Sequence, residues 1–74
     1  MIKEHDMVVA KRDFPEIGLK AGAMGAVVHI YPRAMAYEVE FISATGESIA
    51  VQTVKAADVR AMTKREAAKD QAVA

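Results

Sequence analysis

Gly18, Gly22 and Gly25 stand just ahead of an unbroken run of strand-forming residues at 26–31, and no other stretch limits the fold as much. Glycine tolerates the positive φ of a tight turn and the close approach of a second backbone. The run that follows mixes β-branched and aromatic side chains over about the length of one strand. The pattern predicts a loop, a tight turn and then the central strand of a small β structure.

With 74 residues, the chain has room for one domain. A domain of this size buries only about 60% of its unfolded surface. There is no cysteine, so neither a disulfide nor a zinc–cysteine site reinforces it. That absence, the charged opening Met1-Ile2-Lys3-Glu4-His5-Asp6 and the lack of an apolar run near ~20 residues lead us to expect a cytoplasmic protein with no membrane contact. Formal net charge is zero, and through residue 62 acids slightly outnumber bases, unlike the footprint of a polyanion binder.

Taken in order, residues 6–11 read as a first strand with apolar side chains on both faces, Val8 and Ala10 being assigned to the core. Residues 12–22 form a loop shaped by Pro15 and Gly18, with Leu19 as its apolar anchor. In the second strand Ala26, Val28 and Ile30 are assigned inward and His29 outward, and Pro32 ends the run. The cleanest signal is Tyr37-Glu38-Val39-Glu40-Phe41, where apolar and acidic residues alternate as on a half-buried strand. After a turn at 44–47, residues 48–53 pair back with Ile49 and Val51 on the apolar face. Residues 55–59 suit a single 3-10 turn, and 59–62 a short closing strand. Thr63 and Glu66 have capping-box spacing, but the tail at 63–74 is too short and alanine-rich to hold a helix alone. The reading is mainly β: a small SH3-like five-stranded barrel over residues 1–62, with a single 3-10 turn before the last strand and a short tail.

Asp6-Met7-Val8-Val9, the loop from Asp13 to Gly22, Gly25-Ala26-Val27-Val28-His29-Ile30-Tyr31, Ala36-Tyr37-Glu38-Val39-Glu40-Phe41 and Asp58-Val59-Arg60 together resemble a family of short bacterial proteins of unknown function. The resemblance extends over most of residues 5–62 and implies an SH3-like barrel. More distantly, that family is similar to the barrel domain of the nitrile hydratase β subunit and to the KOW-type barrels of ribosome-associated proteins. Two departures stand out: Ala23 occupies a place usually acidic, and Arg33-Ala34-Met35 replaces an Asp-Gly-like turn.

Little in the chain supports catalysis. His5 and His29 are the only imidazoles, and neither shares metal-site spacing with another ligand. Glu38 and Glu40 share a strand face, but acid–base work requires a cleft that shifts one pKa. The glycines fit no phosphate-loop pattern, and no serine or threonine sits in a nucleophile motif. We therefore expect no enzyme activity, no cofactor and no metal. The favoured function is protein binding through Phe14, Ile17, Tyr31, Pro32 and Tyr37, the partner being another protein or a second copy, although apolar residues in so small a chain also serve its core. The resemblance suggests an accessory, antitoxin-like or immunity-like partner of a neighbouring gene product. The alternative is RNA or ribosome association through Lys11, Arg12, Lys20 and Arg33.

Overall fold

In the computed structural model, which describes residues 1–67, alternation within residues 36–42 fixes the inner and outer faces of one antiparallel sheet. Its strands are β1 (Met7–Ala10), β2 (Met24–Ile30), β3 (Ala36–Ile42), β4 (Ser48–Lys55) and β5 (Val59–Ala61), in the order β4-β3-β2-β1-β5. The 3-10 turns Pro15–Ile17, Pro32–Ala34 and Ala56–Asp58 interrupt the connections.

Topology forces this sheet to curl. Strands β4 and β5 are its outermost members, yet only Ala56–Asp58 joins them. In a flat sheet they would lie roughly 19 Å apart, four strand spacings. The steps from Lys55 to Val59 reach at most ~14 Å. The curled sheet closes on a core of Val8, Ala10, Phe14, Val27, Tyr37, Val39, Phe41, Val54 and Val59, to which every strand contributes. The Phe14 and Phe41 rings lie 5.7 Å apart at its centre.

Several expectations about facing need correction. Leu19 packs partly buried against the core as expected, but the deeper anchor of the first loop is Phe14, 1% exposed. The two residues exchange backbone hydrogen bonds of 2.8 and 3.0 Å, closing the loop on itself. In β2 the inward residues are Gly25 and Val27, while Val28 is exposed and Ala26 only partly covered. A bulge between Val27 and His29 then shifts the phase and turns Ile30 back towards the core. In β4 the inward residues are Ala50, Gln52 and Val54, opposite Phe41, Val39 and Tyr37. Ile49 and Val51 face outward and are 44% and 54% exposed. The large rings of Tyr37 and Phe41 already fill the inner space, so small or partly polar partners suffice across from them.

Other expectations hold. Val8 and Ala10 are buried, and β2 stops before Pro32. The turn after β3 is tied by Ser43, whose hydroxyl oxygen accepts the Glu47 N–H at 3.1 Å, with Gly46 at φ 86°. A 3-10 turn precedes β5. Residues 64–67 are helical and open with the expected reciprocal cap: the Glu66 N–H donates to Thr63 Oγ1 at 3.1 Å, and the Thr63 N–H donates to Glu66 Oε1 at 2.9 Å. The rest of the expected tail, 68–74, lies outside the described residues. No helix among the described residues is long and apolar enough to cross a membrane.

Candidate interaction surface

The first loop and the β2–β3 hairpin tip are separated by a whole strand in sequence, but both are fastened to the Ala56–Asp58 turn. From the loop, the Lys11 N–H donates to Asp58 O at 2.8 Å and Arg12 Nε to Asp58 Oδ2 at 3.0 Å. From the other side, the Ala56 N–H donates to Met35 O at 3.0 Å. Asp13 stiffens the loop further, its Oδ1 accepting the Ala21 N–H at 2.8 Å. The outcome is one corner built from three segments.

Of the residues expected to bind protein, Ile17, Tyr31 and Pro32 belong to this corner. Ile17 sits half-buried beside the core, while Tyr31 and Pro32 are exposed. Phe14 and Tyr37 are instead core residues, 1% and 6% exposed, and present no surface. Burial follows from their positions: Phe14 closes the loop over Phe41, and Tyr37 lies on the inner side of β3. Met35 joins the corner with 68% of its surface exposed. Its signal in the sequence was faint, a lone apolar residue after a proline turn. The tip is also unusual in its backbone, with Arg33 at φ 63° and Ala34 at φ 51°.

Around Tyr31 the outer face is polar. Its hydroxyl donates to Glu38 Oε1 at 3.2 Å, its ring meets His29 edge-on at 4.7 Å, and the Thr53 hydroxyl donates to the same Glu38 oxygen. His29 stands opposite Glu38 in the β2–β3 register. Among the described residues no three His, Asp or Glu side chains are grouped so as to hold a metal.

The basic residues are split. Lys11, Arg12 and Lys20 lie on the first loop and Arg33 on the hairpin tip, all exposed. Arg12 is nonetheless engaged within the chain, bonded to Asp58 and stacked 4.0 Å above the Phe14 ring. No local pattern signals this tie, which links residues 46 positions apart. A separate open cleft of about 520 Å³ is lined by Val9, Met24, Ile42, Met62 and Glu66, among others.

No curated protein and no solved structure matches this chain significantly. A family model does match, over residues 4–61, a span that takes in all five strands and the whole corner. The chain therefore belongs to the family described as a domain of unknown function, DUF4926.

Proposed function

We propose that this protein is a cytoplasmic, non-catalytic protein-interaction module, an accessory, antitoxin-like or immunity-like partner of a neighbouring gene product. The binding surface is the corner where the first loop, carrying Ile17, and the hairpin tip, carrying Tyr31, Pro32 and Met35, are both tied to the Ala56–Asp58 turn. One observation carries the reading: among the large apolar residues the most exposed after Met1 is Met35, at the tip of a hairpin that the fold pins in place rather than leaving loose. The strand order and the 3-10 turn before the last strand also suit an SH3-like barrel, in which a long first loop and the next hairpin tip flank a ligand groove. RNA association has less behind it, because Arg12 is already engaged and the chain carries no net positive charge.

The test is co-expression with the products of adjacent genes, followed by affinity measurement on any complex retained. Met35→Ser is expected to weaken that complex about tenfold or more while leaving the melting temperature unchanged, as for an exposed anchor. Equal affinity of the variant, or retention of RNA in place of protein with a steep salt dependence, overturns the proposal.

A further inference from the structure

We infer that two copies of this chain associate through β4, pairing edge to edge in antiparallel fashion about a two-fold axis at Val51. The inference is independent of the corner proposed above and uses a different surface.

Strand β4 is an open border. It is Ser48–Lys55, and among the described residues only β3 pairs with it. The direction of its free groups follows from the ladder. The Tyr31 N–H donates to Ala36 O, so the Ala36 carbonyl points at β2. Alternation then aims the backbone groups of Tyr37, Val39 and Phe41 at β4, where Val54, Gln52 and Ala50 stand opposite. The N–H and C=O of Val51 and Thr53 are left pointing away from the sheet.

Soluble proteins usually blunt such an edge with proline, lysine or a short strand. β4 has no proline, and its only charge is the terminal Lys55. It carries Ile49 and Val51 exposed on the outer face. The other border is guarded: β5 has only 3 residues, and its Arg60 is held by both carboxylate oxygens of Glu66 at 2.7 and 2.8 Å.

Charge selects the occupant. Glu47 and Lys55 bracket the uncharged stretch 48–54 and stand four positions on either side of Val51 in the sequence, with a bulge at Ile49 on the Glu47 side. Antiparallel pairing of two copies about Val51 sets each Glu47 beside the other copy's Lys55, at both ends. It also sets Val51 against Val51 and Ile49 against Thr53, all on the outer face. Parallel pairing in register would instead stack like charges. The edge is thus complementary to itself, as a two-fold contact requires.

The experiment measures mass by light scattering from micromolar to millimolar protein, with cysteine variants as reporters of register. The native chain has no cysteine to interfere. Directly opposed residues in a hydrogen-bonded pair have Cα atoms about 5.5 Å apart, within disulfide reach. Val51→Cys is therefore expected to cross-link into a two-chain species under mild oxidation. Ile49→Cys is not, because the two copies of that position lie roughly 14 Å apart along the strands. Val51→Lys, an exposed change that leaves the fold intact, is expected to raise the dimer dissociation constant about tenfold or more. A single-chain mass up to millimolar concentration, or a two-chain mass in which Ile49→Cys cross-links as readily as Val51→Cys, overturns the inference.

Discussion

Gly25 and Ala34 show how differently two small residues are constrained. Gly25 has an ordinary backbone conformation, but a Cβ there would fall 2.6 Å from Val39 Cγ1 and 2.7 Å from the Glu40 carbonyl oxygen. The carbonyl belongs to the β3 ladder and has nowhere to move. Gly25→Ala is expected to destabilise the protein by about 1–3 kcal/mol, read from urea denaturation. Ala34 presents the opposite case, an alanine in the left-handed region at φ 51°. Relieving its Cβ makes Ala34→Gly stabilising by about 1 kcal/mol, a rise of roughly 4–8 °C in melting temperature. The left-handed backbone of Arg33 and Ala34 was not legible in the sequence, because neither residue type marks a positive φ as glycine or asparagine does. Nor was the role of Gly25, because glycine before a strand reads equally well as a turn.

At the level of single elements, β3 was legible and its neighbours were only half so. Strict alternation from Tyr37 to Phe41 leaves one choice of face. In β2 and β4 apolar residues occupy both faces, and each strand contains a register shift that pattern alone does not locate. The one-residue slip at Val28 is why Ile30 was assigned correctly and Val28 was not. The helix start at Thr63 was legible because its cap is local. Its charge chemistry is also local: the bidentate bond from Arg60, aided by the Thr63 N–H, lowers the Glu66 pKa from 4.5 to about 2. A carboxylate with a depressed folded pKa contributes its stabilisation above the unfolded value and loses it as pH falls towards the folded one. Ordering of residues 60–67 is therefore expected to be pH-independent above about 4.5 and to weaken as pH falls towards about 2, monitored by amide exchange at Thr63 and Glu66. Glu66→Gln should abolish that dependence, and an unchanged acid profile in the variant would count against the assignment.

Across the whole molecule, strand number and order of appearance were readable from turn residues, and so was the short link before β5. The convergence of the first loop and hairpin tip was not, because it depends on Arg12, Lys11 and Met35 meeting residues far along the chain. The same long-range packing converted Phe14 and Tyr37 from expected surface to core: a small domain has few large side chains and spends them on its interior.

The link of three residues between the outer strands has one more implication. It works like the buckle of a belt, with the first loop and the hairpin tip both hooked onto it. A protein gripping Met35 and Ile17 would press on the fastening itself, so its hold would be felt in the interior as well as at the rim. An occupant of the corner would then raise resistance to unfolding as well, although a side chain that only touches the partner, as Met35 does, alters the grip alone.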